Sequence, residues 1–265
     1  MRTMIAMFAI TAIPAFTDNY LWLLQHDRRA VVVDPGDAQP VLKELQARGL
    51  ELDAILVTHW HPDHIGGLGA LTARYPVPVY GPRGESAKIA GLTRWLGEGE
   101  RVSVLGQFEF QVLEVPGHTL GHIAYYCAAA GILFCGDTLF SAGCGRLFEG
   151  TPAQMHASLA RLSALPPETR VYCTHEYTLS NLAFAHEVEP ANRALAARIA
   201  EVRSLREQNL PSLPSSIEAE LKFNPFLRCD QPEVRAAAWR RAKKDVEHPA
   251  DVFAVLRAWK DGYKG

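Results

Sequence analysis

The residues best suited to chemistry are packed into His59-Trp60-His61-Pro62-Asp63-His64, three imidazoles and a carboxylate placed directly after the apolar run Ala54-Ile55-Leu56-Val57. A lone histidine is ordinarily solvated or hydrogen-bonded, but lone pairs crowded this closely call for a cation. His59 and His61, two apart on an extended segment, point the same way. Pro62 interrupts that segment, and Asp63-His64 turn beyond it toward a neighbouring position. The spacing predicts two adjacent metal sites. Three further ligand-type residues each close an apolar run: His118 in Pro116-Gly117-His118-Thr119, Asp137 in Phe134-Cys135-Gly136-Asp137-Thr138, and His175 in Val171-Tyr172-Cys173-Thr174-His175-Glu176. Strand ends and their loops present catalytic groups in layered α/β folds, so several such ends can converge on one crevice. Taken singly each has a plainer role too, since Gly-Asp-Thr is also an ordinary turn and helix cap.

The elements that must position these groups are legible from hydrophobic period. Met4 to Ile13, Tyr20 to Gln25 and Ala30 to Val33 read as strands separated by turn material. The apolar Met1 to Ala15 also resembles a short secretory signal, but its charged start is slight and Pro14 breaks the cleavage pattern, so it reads as a first core strand. Val41, Leu42, Leu45 and Leu50, framed by Pro40 and Gly49, give a helix leading into the strand 54–57. Strand-rich stretches follow at Val77 to Tyr80 and from Val102 to Phe134, broken at Pro116-Gly117. Beyond residue 176 the texture changes to helices over Leu182 to His186, Ala191 to Asn209 and Val234 to Lys244, with no further strand and a loop at 210–216. The pattern is α/β followed by a smaller helical part.

Composition narrows the function. With 48% hydrophobic residues the chain can bury a sizeable core, and 27 Lys plus Arg against 29 Asp plus Glu leave a net charge of -2. That balance offers no field for nucleic acid or an anionic membrane, and no window reaches the roughly 18 apolar residues of a span. Five cysteines, an odd number without a CxxC pair, fit reduced thiols in the cytoplasm and no disulfide.

HxHxDH followed at long range by single His, Asp and His residues resembles the metallo-β-lactamase superfamily. Within it, Ala142-Gly143-Cys144-Gly145-Arg146-Leu147-Phe148-Glu149-Gly150, Thr174-His175-Glu176-Tyr177-Thr178 and Asn224-Pro225-Phe226-Leu227-Arg228 resemble the glyoxalase II, or hydroxyacylglutathione hydrolase, family. The likeness spans essentially the whole chain. It implies a four-layer αβ/βα sandwich with a C-terminal helical domain, divided as a catalytic domain over residues 1–175 and a substrate-binding domain over 176–265. It further implies that His59, His61 and His118 hold one divalent metal, that Asp63, His64 and His175 hold another, and that Asp137 bridges them. Asp63 and Asp137 thereby become catalytic residues. Zinc suits this ligand set, and iron and manganese accept it too. The activity the resemblance implies is hydrolysis of the thioester of S-D-lactoylglutathione to glutathione and D-lactate, the second step of methylglyoxal detoxification, for which two such cations would supply hydroxide at neutral pH and polarise the carbonyl. The chain is then expected to be a monomer acting on a small-molecule glutathione thioester.

The resemblance also implies a glutathione-contacting set of Arg146, Phe148, Tyr177, Arg257 and Lys260. Arg257 and Lys260, three apart in a helical stretch, share a face that can meet a peptide carboxylate. Phe148 departs from members that carry Tyr there, which leaves ring packing or backbone for any contact. Asp34 either orients a ligand imidazole or caps the turn before Pro35-Gly36. His26, His122, His156, His186 and His248 lack ligand-type company and read as surface or hydrogen-bonded side chains. Cys144, in a glycine-rich loop, would need a nearby base to act as a nucleophile. Rival readings are a lactonase, a β-lactamase, a mononuclear iron dioxygenase or a nuclease of the same superfamily, and a non-catalytic glutathione-binding scaffold.

Overall fold

The first apolar runs form an antiparallel pair, β1 (Ala9–Ala15) with β2 (Asn19–His26), in register from Ala9 opposite Gln25 to Ala15 opposite Asn19. The computed structural model describes residues 7–243 and 245–263, so Met4 to Ala6 of the expected first strand, and Lys244 of the expected late helix, lie outside the described residues. The chain divides into two compact units, one within Met1–Glu114 and Gly121–Gly136, the other within Val115–Leu120 and Asp137–Gly265.

In the first unit the sheet continues through β3 (Arg29–Val33) and then, after helix α1 (Ala38–Arg48), through β4 (Glu51–Leu56). Helix α1 begins where the Asp37 carboxylate accepts from the Gln39 amide and ends at Gly49 in the left-handed region. Two short helices follow, α2 (Pro62–Ile65) and α3 (Leu68–Arg74), before β5 (Val79–Pro82) and β6 (Arg94–Leu96) complete the strand order β1-β2-β3-β4-β5-β6. Strands β3 to β6 are parallel, as a crossover helix such as α1 requires. Leu21, Leu23, Val32, Val41, Leu45 and Ile55 are among the side chains that fill the core between this sheet and its helices. A second run, β7 (Arg101–Val104), β8 (Phe108–Glu114), β9 (Ile123–Cys127) and β10 (Ile132–Gly136), is antiparallel throughout.

These two runs are stitched at the point where the ligand-rich segment begins. The Ile123 amide donates to the Thr58 carbonyl at 3.0 Å, and the buried Tyr125 hydroxyl donates to the carbonyls of Val57 at 2.9 Å and Tyr80 at 3.3 Å. Burial, reinforced by the Asp34 carboxylate, holds the Tyr125 phenol well above its usual pKa, so it stays a neutral donor. Tyr125→Phe should therefore lower the urea midpoint of the metal-free protein by the equivalent of about 1–2 kcal/mol with the slope unchanged, the cost of leaving the buried Val57 carbonyl without this donor, since the Tyr80 carbonyl keeps the Val57 amide at 2.8 Å. An unchanged midpoint would show that the Val57 carbonyl finds another partner.

The second unit opens with a small hairpin, β11 (Leu139–Phe140) and β12 (Gly143–Cys144), then α4 (Pro152–Ser163), started by a reciprocal cap between Thr151 and Gln154. Strand β13 (Arg170–Cys173) leads into α5 (Thr178–Val188) and α6 (Arg193–Glu207). The stretch expected to be loop contains a two-residue strand, β14 (Ser215–Ser216), antiparallel to β13, and it runs directly into α7 (Ile217–Phe223), a helix too short to stand out by period. Helices α8 (Pro232–Ala242) and α9 (Pro249–Asp261) finish the unit. Leu182, Ala185, Leu195, Val202 and Phe223 pack together with Ala142 of the hairpin. Among the described residues no helix is long and apolar enough to cross a membrane, and all five cysteines are free thiols.

Candidate metal centre

Each unit carries part of the ligand-type set. In the first, parallel pairing of β3 with β4 sets Val33 opposite Leu56, so the two strands end side by side and Asp34 meets Thr58. The buried Asp34 carboxylate accepts from the Thr58 amide (Oδ1, 2.7 Å) and the Thr58 hydroxyl (Oδ2, 2.7 Å), and its Oδ2 lies 3.0 Å from His64 Nδ1. The Asp34 side chain thus faces Thr58 and His64, and the turn before Pro35-Gly36 is closed by its backbone, whose carbonyl accepts from the Gly36 amide at 2.8 Å.

This network assigns the imidazole tautomers. A carboxylate only accepts, so His64 Nδ1 donates to Asp34 and its lone pair sits on Nε2. The Thr58 hydroxyl proton is committed to Asp34, so its oxygen accepts from His59 Nδ1 at 3.1 Å and the His59 lone pair is likewise on Nε2. That Nε2 is 3.0 Å from His61 Nδ1. Ligand-type atoms of His59 and His61, of His59 and His64, and of Asp63 and His64 lie within 4.8 Å of one another. Asp63 is steadied by Asn19, whose amide donates to Oδ2 at 3.0 Å. Gly36 has a steric reason to be glycine: a Cβ there would overlap the Asp63 carbonyl.

In the second unit, Asp137 Oδ2 lies 3.4 Å from His118 Nε2 and 3.2 Å from His175 Nε2. His118 Nδ1 is 2.8 Å from the Arg146 carbonyl, which can only accept, so here too the ring's lone pair is on Nε2. All three side chains are buried. Lone-pair atoms gathered at these distances away from water need positive charge among them, and neutral imidazoles with carboxylates are the donor chemistry of a divalent metal. The donor set fits.

Comparison with known proteins agrees. The family model of the metallo-β-lactamase superfamily matches residues 16–175, and that of the hydroxyacylglutathione hydrolase C-terminus matches residues 176–263. A hydroxyacylglutathione hydrolase of Pseudomonas aeruginosa is 58% identical over 97% of this chain and 100% of its own. The chain belongs to the hydroxyacylglutathione hydrolase family. Among solved structures, ETHE1 from Myxococcus xanthus is 26% identical with a TM-score of 0.66, covering 96% of this chain and 91% of that one. TTHA1623, solved in a di-iron-bound form, is 34% identical with a TM-score of 0.54 over 62% of this chain and 91% of that one. The α/β class and metallo-β-lactamase fold expected from the motif are therefore present, with a helical C-terminal part. As a hydroxyacylglutathione hydrolase the chain is an enzyme, and its His/Asp clusters constitute a divalent-metal site.

The expected substrate residues of this hydroxyacylglutathione hydrolase all lie in the second unit. Phe148 is 64% exposed, its ring edge-on to His118 at 5.2 Å and its amide donating to the His118 carbonyl at 3.2 Å. Tyr177 stacks flat on His175 at 4.7 Å. Arg146 is exposed, with Nε 3.7 Å from the Asp261 carboxylate. Lys260 donates to the Ser180 carbonyl at 3.0 Å, and burial, with Arg257 nearby, lowers its pKa to about 8. Arg257 is only 5% exposed and donates to the Cys144 carbonyl at 2.8 Å and to Asp261 at 3.0 Å. Burial pushes the Cys144 thiol up to about 11 despite Arg257, which leaves it unsuited to nucleophilic attack.

Two neighbours of the ligand-type residues escaped the sequence reading. His122 is fully buried and stacks on His59 with centroids 4.5 Å apart and 20° between planes. It stands just before β9, and the pairing of Ile123 with Thr58 carries it there, a long-range register that local spacing does not signal. Asn19 looks like turn material in sequence because Asp63 is 44 residues away.

Proposed function

We propose that the chain hydrolyses S-D-lactoylglutathione to glutathione and D-lactate, with His59, His61 and His118 holding one divalent metal, Asp63, His64 and His175 a second, and Asp137 shared between them. The observation that carries the reading is the set of tautomers fixed by Asp34, Thr58 and the Arg146 carbonyl, which commits His59, His64 and His118 to offering Nε2 lone pairs. Support for the substrate comes from the relatives' name and from the match of the C-terminal family model. Two cations, zinc in the first place with iron or manganese able to replace it, would supply hydroxide at neutral pH and polarise the thioester carbonyl.

The protein's part is orientation. Asp34 and Thr58 lock two imidazoles, Asn19 steadies the Asp63 carboxylate, and Tyr177 lies flat against His175. Hydrolysis adds the elements of water across the acyl C–S bond, hydroxyl to carbon and proton to the departing sulfur. A thiolate is a good leaving group, so no strong general acid is required. We assign residues 1–175 to catalysis and 176–265 to substrate binding, with Arg146, Phe148, Tyr177 and Lys260 on the glutathione and Arg257 serving the same face from beneath through the Cys144 carbonyl. A cytoplasmic monomer is the setting that fits a small-molecule substrate and free thiols.

The deciding assay follows loss of thioester absorbance and release of thiol with S-D-lactoylglutathione, beside elemental analysis approaching two metal equivalents. Oxygen uptake without thiol release would instead indicate a dioxygenase, and full activity saturating at one equivalent would remove the binuclear assignment. Lys260 adds a pH signature. Its ammonium is charged below about 8 and loses its proton above, so kcat/KM for the glutathione thioester should fall as pH rises through that value while kcat stays flat. Lys260→Ala should raise KM about 3- to 10-fold at pH 7 and abolish that limb, the reduced size reflecting solvent access. A short acyl thioester lacking the peptide should show neither effect, and equal effects on both substrates would take Lys260 away from glutathione.

A further inference from the structure

We propose that Glu220 and Asn224, buried on and just after α7, are positioning residues for the metal ligands of the second unit, acting through the hairpin of β11 and β12. Neither residue has a role in the hydrolysis as derived above, and Asn224 opens the Asn224-Pro225-Phe226 motif that the functional reading leaves unexplained. The inference rests on the metal assignment of His118, Asp137 and His175.

The hairpin is short and awkward. Two residues, Ser141 and Ala142, join its strands, and Ala142 adopts φ 56°, a left-handed conformation that a residue with a Cβ rarely takes. Side chains take up its backbone polar groups almost one by one. Glu220 Oε2 accepts from the Ala142 amide at 2.8 Å. Asn224 Nδ2 donates to the carbonyls of Phe140 (3.1 Å) and Gly143 (3.0 Å), and also to Glu220 Oε2 (2.9 Å). Asn181 serves the Ser141 carbonyl at 3.1 Å, and Arg257 serves that of Cys144. Glu220 and Asn224 are both fully buried, and the Ser215 hydroxyl donates to the remaining Glu220 oxygen. Such a satisfied buried network fixes one conformation where the turn alone would sample several.

That conformation reaches all three ligand-type residues. Asp137 lies two residues before the hairpin, with Thr138 between, and the Gly145 amide that follows the hairpin returns to the Thr138 carbonyl at 3.2 Å. The next residue, Arg146, supplies the carbonyl that orients His118. Phe140 sets its ring edge-on to His175 at 5.8 Å and to Tyr177 at 5.5 Å. Freeing the hairpin would loosen Asp137, His118 and His175 together.

The test is competition of the metal-free protein against a chromophoric chelator with zinc as the probe, run beside thermal melting of the same metal-free samples. Glu220→Ala and Asn224→Ala should each weaken retention of zinc by about 10- to 100-fold, the usual cost of removing a group that orients a ligand. Glu220→Gln should stay near wild type, because its amide oxygen can accept from Ala142 and Asn224 while its NH2 donates to Ser215. Burial already pushes the Glu220 carboxyl pKa up, so a neutral replacement suits the site. Should the alanine variants fail to fold, Asn224→Ser, which keeps a cap for the Phe226 amide but not the reach to the hairpin, should give the same loss. Wild-type zinc affinity in the folded alanine or serine variants, with or without a lower melting temperature, would overturn the proposal. Failure of the wild-type protein to bind zinc, iron or manganese would instead overturn the metal reading on which it rests.

Discussion

Asp137→Asn is expected to lower kcat on S-D-lactoylglutathione by about 10²- to 10⁴-fold while leaving the fold of the metal-free protein unchanged. The substitution keeps shape and removes charge. Asp137 Oδ2 sits 3.2 to 3.4 Å from the Nε2 atoms of His175 and His118, so in the proposed centre it is the anion on which both cations rely. An amide there either turns its NH2 toward the same space, opposing a cation, or offers a neutral oxygen that balances no charge. Metal catalysis contributes several kcal/mol of transition-state stabilisation, and each 1.4 kcal/mol lost is a tenfold slower rate, which sets the range. Elemental analysis should show less than two equivalents, and melting of the metal-free variant should match wild type. Near-native turnover with full metal content would contradict a shared carboxylate. His122→Ala is not a neutral control, because its ring covers that of His59, and exposed His186→Ala takes that place.

The ligand-type residues were legible because metal chemistry constrains residue type and strand ends constrain position. His59, His61, Asp63 and His64 follow β4, His175 follows β13 and Asp137 follows β10, all visible as apolar runs ending in polar residues. The helix α1 was equally legible from its period and its terminal glycine. What escaped was decided by register and by buried polar geometry. His122 is ordinary in sequence and reaches His59 only because β9 starts opposite Thr58. Asp34 was ambiguous until the parallel pairing of β3 and β4 set it against Thr58 and His64. Helical spacing placed Arg257 and Lys260 on one face but could not show that the guanidinium turns inward to Cys144 while the ammonium stays partly open. The two-residue strand at Ser215 carries no hydrophobic period, since its partner β13 and the Glu220 network hold it rather than its own side chains.

Gly145→Ala should be as damaging as the loss of a ligand, although a single methyl group is added to a loop. The backbone of Gly145 packs against that of Asp137 so closely that a Cβ would overlap the Asp137 carbonyl oxygen and come within 3.1 Å of His118 Nδ1. The obstacle is steric, because Gly145 is not among the residues held at positive φ. Nothing flexible can yield, since the clashing atom is backbone and His118 Nδ1 is committed to the Arg146 carbonyl one residue further on. Relief requires Asp137 to move or β11 and β12 to part, and both routes disturb the proposed ligands. An overlap with backbone belongs to the severe class of substitution, about 3 kcal/mol or more, and the disturbance should appear as lost metal and a kcat lower by about 10²-fold or more. Gly69→Ala supplies the comparison. Gly69 lies in the first turn of α3, where an added Cβ meets nothing within 4 Å, so that variant should keep full activity and gain up to about 0.5 kcal/mol through a stiffer unfolded chain. Retention of two metal equivalents and wild-type kcat by Gly145→Ala would mean that the approach of Gly145 to Asp137 is not what holds that carboxylate in place.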